Sequence, residues 1–196
     1  MRSATIERKT AETDVKLTLT LEGTGNVQID SGVGFLNHML ELMARHGRFD
    51  LHLVCHGDTA VDDHHSVEDI GIVLGTALAG ALGEKRGVRR YGSFLLPMDE
   101  ALAMVALDLS GRSGLRFSVD FPTEKIGTFD TQLVEEFFLA LTRASGMTLH
   151  IRMLDGTNSH HIAEAIFKGF GRALREAVSI DATMKDEIPS TKGVLA

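Results

Sequence analysis

The order β-β-α-β-α, run through twice in 196 residues, predicts an α+β fold: two antiparallel-rich sheets packed with helices, with pseudo-two-fold symmetry. Two observations carry this expectation. Hydrophobic periodicity alternates between 2 and 3.6 in the same order in each half. In addition, His-His-Ser-Val-Glu at 64–68 returns as His-His-Ile-Ala-Glu at 160–164, an offset of 96. Leu51-His-Leu53 returns as Leu149-His-Ile151 at an offset of 98, and that offset carried back places His38 opposite Glu136. Self-similarity near half the chain length marks an internal duplication. No flexible linker separates the halves, so one domain is expected over 1–196. It comprises repeats over about 10–95 and 96–180 and a C-terminal tail, 181–196.

The first half begins with Val15, Leu17, Leu19 and Leu21, which alternate with polar residues as a half-buried strand does. Gly23-Thr-Gly-Asn26 turns the chain toward a returning strand at Val27 and Ile29, a predicted hairpin. Phe35, Leu36, Met39, Leu40 and Met43 recur at helical spacing, with Gly47 as a C-terminal stop. Phe49 to Cys55 alternates as a strand, and a helix runs from about His64 to Gly83, its glycines giving a small face for close packing. In the second half, strands at 103–109 and 115–121 flank Ser110-Gly-Arg-Ser-Gly114 as another predicted hairpin. Helix 129–145, strand 147–153 and the amphipathic helix 158–178 complete the order.

Composition narrows the function. Twenty-seven acidic against twenty basic residues give a net charge of −7, which argues against a nucleic-acid reader that relies on broad phosphate neutralisation. The longest apolar stretch, Ile70 to Leu82, is diluted by glycine and falls short of the roughly 20 residues a membrane span needs. No apolar segment follows the charged N-terminus, so no targeting signal stands out. One cysteine, Cys55, excludes an intrachain disulfide framework and fits a reducing, cytoplasmic setting. The abnormal quantity is histidine: nine residues, four of them in two doublets.

On a helix, residues i and i+4 share a face about 6 Å apart along the axis. His64 with Glu68, and His160 with Glu164, can therefore each grip one cation. His65 and His161 point about 100° away and suit a second ion, so two copies can build two sites, with His38 a natural further ligand. A single doublet would be a solvated helix start; two copies carrying the same glutamate favour metal. Imidazole and carboxylate without thiolate suit Mn, Fe or Zn. His46, in a last helical turn, either complements the dipole or faces substrate. His52 and His150 match through duplication, and His56 is a strand-end residue. Lys85, Arg86, Arg89 and Arg90, with Pro189-Ser-Thr-Lys-Gly193, form either a solvated loop and tail or, if they converge, a phosphate pocket.

Gly34-Phe-Leu-Asn-His-Met-Leu40, Asp63-His-His-Ser-Val-Glu-Asp69, Asn158-Ser-His-His-Ile-Ala-Glu164 with Phe167-Lys168, and Pro189-Ser-Thr-Lys-Gly193 together resemble the imidazoleglycerol-phosphate dehydratases of histidine biosynthesis. The resemblance runs from about Glu12 to Gly193. It implies two Mn(II) ions per active site, a small phosphorylated imidazole substrate, and self-association into a 24-subunit shell with active sites between subunits. By position it implies metal ligands at His38, His64, His65, Glu68, His160, His161 and Glu164. It implies substrate contacts at Glu12, Arg90, Arg112, Lys168, Ser190 and Lys192, in a pocket lined by the segments from His38 to His46 and from His160 to Lys168. Where some relatives carry a metal-binding histidine before paired phenylalanines, this chain has Glu136 before Phe137-Phe138, and glutamate offers Mn(II) an oxygen ligand.

The implied reaction is dehydration of imidazoleglycerol phosphate to imidazoleacetol phosphate. Metals at the ring nitrogens would stabilise an imidazolate, the ring would expel the side-chain hydroxyl through a diazafulvene-like intermediate, and Glu164 or Glu12 would manage the proton. The basic residues would anchor the phosphate and orient the reacting end. Two rivals remain from the residues themselves: a two-metal phosphate-ester hydrolase, and a non-catalytic metal-binding shell protein.

Overall fold

The computed structural model describes residues 1–184 and 187–195. Each half contributes a four-stranded sheet. β1 (Ser3–Lys9), β2 (Thr13–Thr20), β3 (Val27–Asp30) and β4 (Asp50–Gly57) form the first, with α1 (Gly34–Gly47) between β3 and β4 and α2 (His64–Leu82) after β4. The second holds β5 (Tyr91–Met98), β6 (Ala101–Asp108), β7 (Gly114–Ser118) and β10 (Thr148–Asp155). A small ribbon, β8 (Lys125–Ile126) and β9 (Phe129–Asp130), and α3 (Gln132–Ser145) precede β10, and α4 (Ser159–Val178) follows it. The α+β class and the two sheets are as expected, and the duplication reaches the pairing register. Leu17 faces Leu53 in the first sheet as Val105 faces Ile151 in the second, and Val27 faces Leu51 as Leu115 faces Leu149.

Three expectations need correction. Each four-stranded sheet has one strand more than β-β-α-β-α allows, because β1 and β5 precede the predicted first strands, and the second half adds the β8-β9 ribbon. The predicted repeat boundary at 95/96 therefore falls inside β5, and the second unit begins near Tyr91. Neither predicted hairpin forms. The sheets run β1-β2-β4-β3 and β5-β6-β10-β7, so β3 and β7 pair in parallel with β4 and β10 rather than folding back on β2 and β6. The physical reason is the helix that follows each: a strand, a crossover helix and a parallel strand form one unit. Between β2 and β3 the Asp50 carboxylate accepts the N–H groups of Thr24, Gly25 and Asn26, so this turn is held onto the start of β4. The true hairpins are β1-β2 and β5-β6.

The helices lie between the sheets and pair across the halves, α1 with α4 and α2 with α3. Glycine sets the approach at equivalent places. A Cβ on Gly75 would sit 2.5 Å from the Leu141 carbonyl oxygen, and one on Gly171 would clash with that of Met43. Gly47 serves the same close packing against the Gly171 carbonyl. It ends α1 as expected, but the left-handed residue beyond it is Arg48. Phe137 and Phe138 of α3 meet Phe167 of α4 with ring centroids 5.4 and 5.0 Å apart, each pair contributing about 0.5–1.5 kcal/mol beyond burial. All four helices and both sheets supply one hydrophobic core, which seats the N-terminal turns of α2 and α4 rigidly. Among the described residues no helix is long and apolar enough to cross a membrane.

Candidate active site

The start of α4 is built for side chains that must not move. Asn158 caps it, its Oδ1 accepting from the backbone N–H groups of His160 (2.9 Å) and His161 (3.4 Å), which satisfies donors that a helix start leaves open. One turn on, the buried Glu164 points toward α1. Its Oε1 lies 2.9 Å from His38 Nε2 and 3.1 Å from His160 Nε2, and its Oε2 accepts from Lys168 Nζ at 2.6 Å. Lys168 Nζ also reaches the Met98 sulfur. His38, His160 and Glu164 offer donor atoms all within 4.8 Å of one another, and among the described residues no other group of three does so. Burial opposes the charge on Glu164, yet hydrogen bonds from Lys168, His38 and His160 hold its carboxyl down at about 2.

The other histidine of this doublet faces elsewhere. His161 Nδ1 lies 2.7 Å from Glu100 Oε2. The hydrogen bond raises the His161 pKa and holds the Glu100 carboxyl down at about 2. In the first half His65 Nδ1 lies 3.1 Å from Asp58 Oδ2, and its Nε2 is 3.8 Å from Glu12 Oε1. Asp58 raises the His65 pKa, with Glu12 adding to it. The second turn of α2 is anchored by the buried Asp69, which accepts from Thr13 Oγ1 and, at 2.8 Å, from Arg8 Nε. Glu12, Glu68, His65 and Asp69 line one cavity of about 140 Å³.

Among the described residues His64 and Glu68, which share a face of α2, join no cluster of three, and Glu136 sits half-buried on α3 at the position that His38 occupies on α1. His46 lies in the last turn of α1, where burial, Arg172 and Lys168 push its pKa down. Arg172 and Lys168 of α4 thus oppose its protonation, with Glu164 acting in the other direction.

The basic residues gather elsewhere. Arg90 grips Asp108 through Nε (2.7 Å) and Nη2 (3.1 Å), and its Nη1 donates to the Pro189 carbonyl at 2.8 Å. That bond draws the tail to the sheet, where Lys192 N–H bonds Ser190 Oγ at 3.2 Å. Arg112 and Lys192 are exposed, Arg112 just after β6. Arg90 and the tail thus lie at the Asp108 end of β6, whereas Glu100 and His161 lie at its Ala101 end. Eight residues of strand separate these ends by about 23 Å. Within one chain, Lys168 is the one predicted substrate contact in touch with the His38–His160–Glu164 group.

Sequence reading missed Glu100, Asp58 and Asp99. Glu100 was findable: Glu12 immediately precedes β2 and Glu100 immediately precedes β6, 88 residues apart, the same offset that relates the paired strands. Asp58 has no such signal.

In this duplicated α+β fold, imidazole and carboxylate donors converge at a helix start in an arrangement that could hold a metal ion. Comparison with known proteins is specific. The sequence pattern of the imidazoleglycerol-phosphate dehydratase family matches residues 31–174. The imidazoleglycerol-phosphate dehydratase of Cereibacter sphaeroides (strain KD131) is 60% identical over 195 residues, covering all of both chains. That of Synechococcus sp. (strain WH7803) is 56% identical, covering all of this chain and 96% of the relative. Among solved structures, the dehydratase from Staphylococcus aureus subsp. aureus N315 superposes with a TM-score of 0.84 at 42% identity, covering 91% of this chain and 99% of that one. The one from Pyrococcus furiosus, in complex with (S)-C348, gives 0.84 at 37%, covering 97% and 100%.

The chain belongs to the imidazoleglycerol-phosphate dehydratase family, the dehydratases of histidine biosynthesis.

Proposed function

We propose that this chain dehydrates imidazoleglycerol phosphate in a Mn(II)-dependent reaction, and that each active site is assembled from more than one copy of the chain. The observation that carries the proposal is the His38–His160–Glu164 group, a preformed set of two imidazoles and a carboxylate suited in chemistry to Mn(II). His64, Glu68 and Glu136 supply the corresponding donors of a second ion, and His65 and His161 complete the sets. When bound, the metals act as Lewis acids toward the substrate's imidazole ring.

The chain's own residues divide the remaining work. Glu164, fully engaged by three partners and held ionised, suits a ligand better than a proton carrier, whose pKa belongs near the working pH. Glu12 is exposed and its carboxylate oxygen Oε1 lies 3.8 Å from His65 Nε2, which leaves that carboxylate available to move the proton as the side-chain hydroxyl leaves. Lys168 and His46 border the reacting end. Arg90 orders the tail, and Arg112, Ser190 and Lys192 bind the phosphate, using remote binding energy to align the substrate.

The placement of Arg90 and the tail at one end of β6 and of Glu100 and His161 at the other, about 23 Å away, supports a composite site for a small substrate. Phe94 and Leu95, exposed together on β5, suit burial against another copy. A closed shell, of 24 subunits by resemblance, would bring one copy's anchors to another's metals. A cytoplasmic setting suits such an enzyme and its single cysteine.

The deciding experiment is turnover after chelation and readdition of Mn(II), with metal content and product measured together. Loss and recovery of imidazoleacetol phosphate formation in step with bound Mn(II) is expected. Full turnover in metal-free protein would overturn the proposal, and release of inorganic phosphate without dehydration would favour a hydrolase.

A further inference from the structure

The two hairpin turns that carry Glu12 and Glu100 are equivalent, yet the two glutamates have different partners. Glu100 is fixed by backbone: its Oε1 accepts the N–H groups of Asn158 at 2.8 Å and Thr157 at 3.2 Å. Its Oε2 is thereby aimed at His161 Nδ1, 2.7 Å away. At the equivalent place Glu12 makes no such contact with His65. Asp58, in the loop after β4, takes that role instead, with Oδ1 and Oδ2 at 3.2 and 3.1 Å from His65 Nδ1. Both rings therefore meet a carboxylate at Nδ1. Both Nε2 atoms lie beyond hydrogen-bond distance of the next acid, Asp99 at 3.7 Å from His161 and Glu12 at 3.8 Å from His65.

We propose that Glu100 and Asp58 are positioning residues that hold the Nδ1 proton of His161 and His65, leaving Nε2 of each ring as the open donor for a metal ion. The proposal rests on the metal reading above and adds residues to it. A carboxylate behind an imidazole fixes the ring's tautomer and orientation and raises its basicity as a ligand. An unassisted histidine ring favours the opposite tautomer, with the proton on Nε2, so the carboxylates reverse an intrinsic preference. The inference also explains the divergence between the halves. Because Asp58 orients His65, the glutamate of that turn, Glu12, is released from the task that its counterpart performs, and one carboxylate becomes available for chemistry.

The test has two readouts. Magic-angle-spinning 15N spectra of ring-labelled, metal-free protein, at a pH well above the ordinary imidazole range, report which nitrogen carries the proton. His161→Gln and His65→Gln assign the signals. Wild-type protein is expected to show Nδ1–H at both rings. Glu100→Ala should shift His161 alone toward Nε2–H, and Asp58→Ala should shift His65 alone. Calorimetric titration with Mn(II) should show affinity falling about 10–100-fold in either variant, with thermal unfolding followed alongside. Nε2–H rings in the wild type overturn the proposal, as do variants whose tautomers and Mn(II) affinity are unchanged. Failure of wild-type protein to bind Mn(II) would overturn the metal reading instead, while the tautomers would still decide whether the carboxylates orient the rings. Because the two variants lie in different halves, a folding defect in one leaves the other to decide.

Discussion

The histidine doublets of α2 and α4 have matching sequences and unequal surroundings. In the second copy Glu164 is bonded by His160 on its own helix, His38 from α1 and Lys168 one turn on. In the first copy the corresponding residues are His64, Glu136 and Ile72. Glu136 brings a second acceptor where His38 brings a donor, and Ile72 brings no charge at all. Two carboxylates repel unless a cation or a shared proton lies between them, so Glu68 has no counterpart of the network around Glu164. Among the described residues the donors of the second copy already converge, and those of the first do not.

Substituting each glutamate breaks the comparison most severely. On the proposed function, Glu164→Gln and Glu68→Gln should both lose turnover by more than the roughly 10–100-fold that outer-shell partners cost, since each would remove a ligand. Only Glu164→Gln should also change the metal-free protein's thermal unfolding. Equal unfolding shifts in the two variants would show that the copies do not differ in this way.

Acid sharpens the same contrast. The Glu164 carboxyl stands at about 2 against an ordinary 4.5. A depressed carboxyl contributes stability above its unfolded value, and that stability is lost as pH falls toward its folded value. Metal-free protein should therefore lose on the order of 3 kcal/mol from this group between pH 4.5 and 2. Denaturant unfolding across that range should give a flatter profile in Glu164→Gln and an unaltered one in Glu68→Gln.

A smaller effect tests where the halves remain alike. Gly75→Ala and Gly171→Ala each press a methyl group onto a partner helix's carbonyl oxygen. Both should destabilise by about 1–3 kcal/mol, measured as a fall in the denaturant midpoint. A large cost in one and none in the other would mean that the cross-half packing is not duplicated.

Much of this was legible in the sequence because periodicity records burial. Helices α1, α2 and α4 start and end within a residue or two of expectation, since their apolar stripes face one core. The strands that escaped notice have weak patterns. In β1 only Ala4 and Ile6 are apolar, and both are half-buried; in β5 Phe94 and Leu95 are exposed side by side while Gly92 is buried. Strand partners were misjudged because alternation says which face is buried and nothing about which neighbour is hydrogen-bonded. At the site, i,i+4 spacing put His160 with Glu164 and the offset put His38 opposite Glu136. The Glu100–His161 contact lies across a hairpin turn and a helix start, where no periodicity connects the two.

On the proposed function, metal donors and phosphate anchors at one active site come from different copies of the chain. Coexpressing a Glu164→Gln chain with an Arg112→Ala/Lys192→Ala chain, under two affinity tags, and assaying the doubly purified assemblies tests it directly. Each variant alone should be nearly inactive, and the mixed assemblies should regain dehydration, because some sites would combine the intact donors of one copy with the intact anchors of another. Mixed assemblies no more active than either parent would show that the sites are not shared between copies.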